Sequence, residues 1–183
     1  MLVAGGAGAV GNAAIQLARW AGATVLTTVS GPEKARFASA AGAHAVFNYR
    51  TDDVVEKVRL SSASGVDVVV EVAPVANAAI NHAVLAGSGT VATYATEDVA
   101  DLALPVWPLM ARNIRYQFVL VYTVPMTAKL QAVADVAAAV AAGALRVGED
   151  AGLELHHYSL ADTAAAHSAV QAGAVGKVLI TIA

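Results

Sequence analysis

The 183-residue chain contains no cysteine. This absence excludes disulfide bonds, thiolate-ligated zinc and a cysteine nucleophile within these residues. A chain without disulfides is typical of a reducing compartment, and we therefore expect a cytoplasmic protein.

Charge is also scarce: only 14% of the residues are charged, and the net charge is −3, with no cluster of lysine and arginine. A nucleic-acid-binding surface needs such a cluster, so we expect no nucleic-acid partner. No apolar run reaches the ~18 residues that a membrane span requires, so we expect no membrane partner. The 57% of hydrophobic residues favours instead a sheet that is buried on both faces.

What the sequence does contain is a regular alternation of short β-branched runs with alanine-rich segments of helical length. Because the runs are apolar almost throughout, the pattern predicts an α/β fold of the Rossmann type, a doubly wound parallel sheet with helices on both faces. The predicted strands cover residues 25–29, 45–47, 66–72, 90–94 and 116–122, and the predicted helices residues 10–21, 32–41, 52–62 and 76–85.

Glycine follows each of these helices, as expected for left-handed caps, at Gly22, Gly42, Gly65 and Gly87. Beyond residue 123 the pattern predicts a long helix over 126–142. A strand over 153–158, a helix over 161–172 and a strand over 177–182 are predicted to follow it.

Four glycines fall within the seven residues GGAGAVG, which end at Gly11. Gly6, Gly8 and Gly11 match the GxGxxG fingerprint of dinucleotide-binding folds, which follows a strand and opens a helix. There the first glycine forms the tight turn, the second lets the backbone approach a pyrophosphate, and the third lets helix and strand pack closely. A glycine-rich turn without a ligand is the alternative for the motif alone, but the strand–helix units that follow favour nucleotide binding.

No carboxylate lies at the end of the second predicted strand, where an NAD site usually carries one for the ribose. The segment reads TTVSGPEK, with Ser30 at the strand end and Lys34 one turn into the next helix. A hydroxyl and a positive charge suit a 2′-phosphate, which favours NADPH over NADH; an ordinary solvated helix residue is the alternative for Lys34. The missing acid also disfavours an S-adenosylmethionine methyltransferase, and the lack of Tyr-x-x-x-Lys disfavours a short-chain dehydrogenase.

These motifs together resemble the nucleotide-binding domain of the zinc-independent quinone oxidoreductases, which belong with related enoyl reductases to the medium-chain dehydrogenase/reductase superfamily. The resemblance begins with VAGGAGAVGNAAIQLARW and continues to residue 53. It extends through VDVVVEVAP, LPVWPLMARNIRYQFVLVY and the closing HHYSLADTAAAHSAVQAGAVGKVLITIA.

The resemblance implies an NADPH-dependent reductase that transfers a hydride to a quinone or an enone without zinc, with no catalytic residue identified in this chain. Backbone amides of Gly8, Ala9 and Val10 would face the pyrophosphate. Ser30 and Lys34 would hold the 2′-phosphate. The further cofactor-binding residues that it implies are Tyr49 against the adenosine, Ala73, Pro74, Tyr94, Ala95, Val119 and Leu120 at the nicotinamide end, and Gly176 and Lys177. For Tyr49 and Val119, plain core packing is the alternative.

Family members carry a GroES-like substrate domain before the point at which this sequence starts. We therefore expect residues 1–152 to form an NADPH-binding Rossmann domain, and residues 153–183 a strand–helix–strand tail that in the family packs on the substrate domain. The chain would be a fragment, a truncated product, or a cofactor module that works with another polypeptide. A non-catalytic NADPH-binding or assembly module is thus the alternative function.

The apolar run YQFVLVY would leave an unpaired sheet edge, which proteins normally cover. In the family two such edges pair across a two-fold axis, so the resemblance implies a homodimer through residues 116–122.

Overall fold

The computed structural model of the chain describes residues 1–96 and 100–182. Residues 97–99 and Ala183, which belong to the two predicted domains, lie outside the described residues. Six strands form the central sheet: β1 (Leu2–Val3), β2 (Leu26–Val29), β3 (Ala45–Asn48), β4 (Val66–Glu71), β5 (Leu85–Thr93) and β6 (Arg115–Phe118).

All neighbouring strands of this sheet are parallel, and their order is β3-β2-β1-β4-β5-β6. This is the strand order of the Rossmann fold, and the predicted fold class is confirmed. Seven helices accompany the strands in the described chain: α1 (Ala9–Trp20), α2 (Pro32–Ala40), α3 (Val54–Ser61), α4 (Ala78–Val84), α5 (Val106–Ala111), α6 (Met126–Ala141) and α7 (Thr163–Gln171).

Neighbouring residues of β1 face opposite sides of the sheet, as successive strand residues must. Leu2 packs with Leu26 and Val69 in one buried cluster, whereas Val3 packs with Ile15 and Val25 in the other. The two clusters are the cores between the sheet and the helices on its two faces.

The tail contains a second, two-stranded parallel sheet of β7 (Leu155–Ser159) and β8 (Lys177–Thr181), connected through α7. A buried polar contact on α1 fixes the segment that leads into it. The Asn12 amide donates to the carbonyl of Ala151 at 3.1 Å, and Gln16 both donates to the carbonyl of Arg146 and accepts from its N–H.

The strand β5 begins five residues before the predicted residue 90, the helix α5 was not predicted, and two further details differ from the sequence prediction. The strand expected over 116–122 ends at Phe118, because the chain turns there and Thr123 donates from its N–H and its hydroxyl to the carbonyl of Leu120. Gly87 does not cap a helix: α4 ends at Val84, and Gly87 lies within β5. Gly22, Gly42 and Gly65 do adopt positive φ angles, as predicted. No helix of the described residues is both long and apolar enough to cross a bilayer.

A buried carboxylate fixes the loop that follows β4. Glu71 is fully buried, and its Oε1 accepts from the N–H groups of Val72 at 2.7 Å and Ala73 at 2.6 Å. The Asn77 amide donates to the same oxygen at 3.0 Å, and the Asn81 amide donates to Oε2 at 2.7 Å. Four donors thus surround one charge, which is how a buried carboxylate is stabilised without a cation.

Substitution of Glu71 tests this anchor. Glu71→Ala should lower the free energy of unfolding by about 3 kcal/mol, since it leaves four buried donors without an acceptor. Glu71→Gln should cost less, because its amide oxygen still accepts from the loop. Urea unfolding followed by circular dichroism measures both, with Glu154→Ala as the exposed control; equal losses for Glu71→Ala and Glu154→Ala would contradict the anchor.

Candidate functional site

The glycine turn is so tightly packed that two of its glycines admit no side chain. A Cβ on Gly6 would lie 2.1 Å from the Thr27 hydroxyl oxygen and 2.9 Å from the Ile15 methyl. A Cβ on Gly11 would lie 2.3 Å from the carbonyl oxygen of Gly5. All three distances are shorter than Cβ contacts in real proteins, so the turn is packed against β2 on one side and against α1 on the other.

Gly8 is different, because it faces open space. The nearest atom to a Cβ at this position, the carbonyl oxygen of Gly5, would be 3.5 Å away, an ordinary contact distance. Gly8 is also the N-cap of α1, and no side chain of the described residues caps this helix. The first turn of α1 contains no acidic residue, so its N–H groups and its positive dipole end remain available to an anion.

A cavity of about 270 Å³ opens at this helix end, and we call it the first cavity. Gly8 forms one wall, Ser30 and Lys34 form the wall after β2, and Tyr49 contributes from the end of β3. Of the described residues that line the first cavity, Lys34 is the only charged one, so the cavity favours an anion. The remaining lining residues are Gly5, Ala7, Val29, Val72, Tyr94, Ala174, Val175 and Gly176.

A second cavity of about 630 Å³ lies further along the same edge of the sheet, beyond β4, β5 and β6. The predicted residues Pro74, Tyr94, Ala95, Val119 and Leu120 all line it. Since Tyr94 lines both cavities, they are neighbours along one crevice. This crevice follows the carboxyl ends of parallel strands, where ligands bind in open α/β sheets.

Tyr94 keeps its proton in this crevice. Burial, and next the negative charge of Glu71, raise the pKa of the Tyr94 phenol above its ordinary value. At neutral pH its hydroxyl is therefore uncharged, and it can both donate and accept a hydrogen bond.

Six of the predicted residues lie outside the lining of these two cavities, and two of them, Gly6 and Gly11, are the tightly packed glycines described above. Ala9 and Lys177 line a third cavity of about 640 Å³, between α1 and the tail. Val10 is 52% exposed at the start of α1, and Ala73 is a buried residue of the loop that follows β4. Gly176 lines the first cavity, whereas Lys177 does not.

Several lining residues were not predicted from the sequence. Ala174 and Val175 complete the first cavity from the tail, and small apolar residues in a loop give no signal of that position. Thr93 and Phe118 line the second cavity. A threonine at the end of an apolar strand, next to the predicted Tyr94, is a signal that could have identified Thr93.

The five histidines do not line the first or the second cavity. In the described part of the chain, no three or more His, Asp or Glu side chains are grouped so that they could hold a metal ion. This crevice offers a helix N-terminus, a lysine, and a larger chamber whose walls are mostly apolar but include Asp101, Tyr94 and three threonines. Such an arrangement can hold a phosphorylated ligand with a flat apolar end.

Comparison with known proteins agrees with this geometry. The 2-haloacrylate reductase of Burkholderia sp is 44% identical over 70 residues, which are 38% of this chain and 21% of that protein. The quinone oxidoreductase of Rattus norvegicus is 39% identical over 72 residues, 39% of this chain and 22% of that protein. The structure of a mycobacterial protein complexed with NADPH superposes with a TM-score of 0.83 at 27% identity, over 99% of this chain and 56% of that one.

The matched segments thus span about a fifth of the curated relatives' length, and the chain covers about half of the solved structure. The family model described as zinc-binding dehydrogenase matches residues 9–147. That match extends from the start of α1 past the end of α6, and so covers most of the sheet and the crevice. The predicted resemblance to quinone oxidoreductases is confirmed, and the chain belongs to the zinc-binding dehydrogenase family.

Proposed function

We propose that this chain is the NADPH-binding part of an oxidoreductase that reduces a quinone or an enone by hydride transfer. The observation that carries the proposal is the first cavity: an uncapped helix N-terminus at Gly8 lies beside Ser30 and Lys34, with no carboxylate in the lining. The phosphates of NADPH need both features: the helix N-terminus suits the pyrophosphate, and the basic residue suits the 2′-phosphate. NADPH, when bound, would supply the hydride.

The pyrophosphate fits the N-terminus of α1. The backbone N–H groups of Ala9, Val10 and Gly11 belong to the first turn, where a helix has no acceptor of its own for them. Gly8 leaves the clearance that a phosphate needs, since a Cβ there would project into free space. The pyrophosphate would thus be bound by backbone N–H groups. Its affinity would depend on the conformation of the turn rather than on any side chain.

The 2′-phosphate fits Ser30 and Lys34. Both residues are partly exposed and line the first cavity, so a hydroxyl donor and an ammonium group are available together. Tyr49, half exposed at the rim, would lie against the adenosine. A ribose without the 2′-phosphate finds no carboxylate here, and NADH should bind more weakly.

The nicotinamide end fits the second cavity, whose walls include Pro74, Tyr94, Ala95, Val119 and Leu120; Ala73, which precedes Pro74, is buried. These residues would position the ring and exclude water from one of its faces. The printed activities of the relatives, reduction of a 2-haloacrylate and oxidoreduction of quinones, support a small conjugated acceptor at that place.

The domain division is also part of the proposal. Residues 1–152 would bind the cofactor, and residues 153–183 would form a separate unit. In support, β7 and β8 pair with each other and not with the central sheet. Lys177 would reach the cofactor only from the third cavity, across the end of α1. We expect the protein to act in the cytoplasm.

A homodimer through residues 116–122 is also part of the proposal, and the exposed side chains at this edge of the sheet support it. β6 is the last strand of the sheet, and Phe118, Val121 and Tyr122 beside it are 59%, 61% and 84% exposed. Light scattering at micromolar concentration should give twice the chain mass of 18.4 kDa. Val121→Asp should give a monomer, and Leu60→Asp, on distant α3, should leave the dimer intact; a monomeric unmodified chain would refute the dimer.

Two glycine substitutions separate binding from folding. Gly8→Ala should change the free energy of unfolding by less than ~1 kcal/mol, because its Cβ meets nothing closer than 3.5 Å. It should nevertheless weaken NADPH binding about tenfold or more in a calorimetric titration, since the methyl group occupies the phosphate side of the turn. Gly11→Ala should instead destabilise the fold by about 2–3 kcal/mol through its clash with Gly5. Unchanged NADPH affinity in Gly8→Ala would argue against the phosphate site.

The choice between the two cofactors depends on Lys34. Lys34→Ala should weaken NADPH binding about tenfold and leave NADH within about twofold, because only NADPH carries the charge that Lys34 would meet. Arg36→Ala is the matched control: it removes a positive charge from the same helix at a residue that does not line the first cavity. Equal weakening of both cofactors by Lys34→Ala would show that Lys34 does not select the phosphate.

A further inference from the structure

One wall of the first cavity comes from the tail, through the loop between α7 and β8. We call residues 172–176 the tail loop. Three of them, Ala174, Val175 and Gly176, line the first cavity. The strands of the tail pair with each other and not with the central sheet, so the position of this wall depends on the contacts that hold the tail loop.

Backbone hydrogen bonds fix both ends of the tail loop. At its start, the N–H of Ala174 donates to the carbonyl of Ala169 in α7 at 3.0 Å. Just after its end, the N–H of Lys177 donates to the carbonyl of Glu154 at 2.8 Å. Gly176 has a φ of +109°, and a Cβ there would lie 2.3 Å from that same carbonyl oxygen. The end of the loop therefore lies directly against the residue that precedes β7.

A histidine side chain holds the middle of the tail loop. Nε2 of His156, on β7, lies 2.7 Å from the carbonyl oxygen of Val175. Since a carbonyl can only accept, Nε2 carries a proton and donates it to this bond. Nδ1 of the same ring is 3.9 Å from Oε1 of Glu154, which is too far for a hydrogen bond. The bond to Val175 therefore orients the ring.

This bond has no backbone substitute. In the part of the chain that the structure describes, no backbone N–H donates to the carbonyl of Val175. The neighbouring His157 points to the opposite face of β7, as successive strand residues do. Its ring is exposed, with Nδ1 3.4 Å from the Thr181 hydroxyl oxygen, and its contact is away from the tail loop. The two adjacent histidines thus differ in whether they hold the wall.

We propose that His156 is a positioning residue for the cofactor: its bond to Val175 keeps the tail loop in place as a wall of the first cavity. This inference rests on the proposed function, because it takes the adenosine and phosphates of NADPH as the occupants of that cavity. The wall residues carry no charged side chain, so the wall acts through its shape, which requires a fixed loop. A ligand's apparent affinity falls with the fraction of molecules in which its site is assembled.

The test compares the two neighbouring histidines. Calorimetric titrations of the unmodified chain and its variants are made with adenosine 2′,5′-bisphosphate, which would occupy the first cavity alone, and with NADPH. His156→Leu should weaken both ligands by the same factor, about threefold to fivefold, through the loss of one neutral hydrogen bond. His156→Gln should restore both affinities, because its amide N–H can donate from nearly the same position. His157→Leu, the matched control, should leave both within about twofold.

Hydrogen exchange without ligand measures the tail loop itself. The amide hydrogen of Lys177 should exchange faster in His156→Leu than in the unmodified chain, and at the unmodified rate in His156→Gln. The amides of β4, in the central sheet, should keep their exchange rates. An unchanged rate at Lys177 in His156→Leu would overturn the positioning role. Faster exchange in β4 as well would show a general loss of stability and would overturn it too.

The outcomes separate this inference from the proposed function. Unchanged affinities in His156→Leu, or equal losses in His157→Leu, would overturn the role of His156 while the phosphate site stands. A loss for NADPH but not for the bisphosphate would put the effect outside the first cavity, against the inference. Failure of His156→Gln to restore binding would show that the donated bond is not what matters. If the unmodified chain binds neither ligand, the proposed function fails, and the role of His156 falls with it.

Discussion

The contact between the glycine turn and α1 is the constraint on which the rest of the site depends. The carbonyl oxygen of Gly5 occupies the place that a side chain at Gly11 would need. Helix and turn can therefore approach until backbone meets backbone, and the first N–H groups of α1 are brought to the edge where β1 and β2 end. A helix held further away would have the same dipole but would not present it to the first cavity.

Glu71 fixes the opposite side of the crevice by a different means. Its carboxylate is buried at the end of β4 and collects two backbone N–H groups and two asparagine amides. The loop to α4 thereby has its conformation set by an internal acceptor, before any ligand is present. Backbone packing fixes one side of the crevice and a buried charge fixes the other. The crevice is therefore preorganised, and a ligand loses less binding free energy to ordering it.

Sequence alone predicted what depends on local pattern. Gly6, Gly8 and Gly11 lie in one turn, and Ser30 and Lys34 follow one strand, so strand order and spacing bring them to one edge. Ala174 and Val175 could not be found in this way, because their position depends on bonds from α1 to residues 146 and 151 far along the chain. The role of Glu71 could not be predicted, because a glutamate within VDVVVEV is ordinarily solvated. Its four hydrogen-bond donors come together only in the folded chain.

Helix α1 borders the first cavity at one end and holds the segment before the tail along its side. Asn12 and Gln16 hold the segment before β7, while the strands of the tail itself are only partly buried. Because few apolar side chains secure the tail, its opening should need less free energy than unfolding of the central sheet. Gly176 nevertheless forms a wall of the first cavity. A ligand that contacts Gly176 can bind only while the tail is packed in place. By mass action, its binding therefore stabilises the tail against opening.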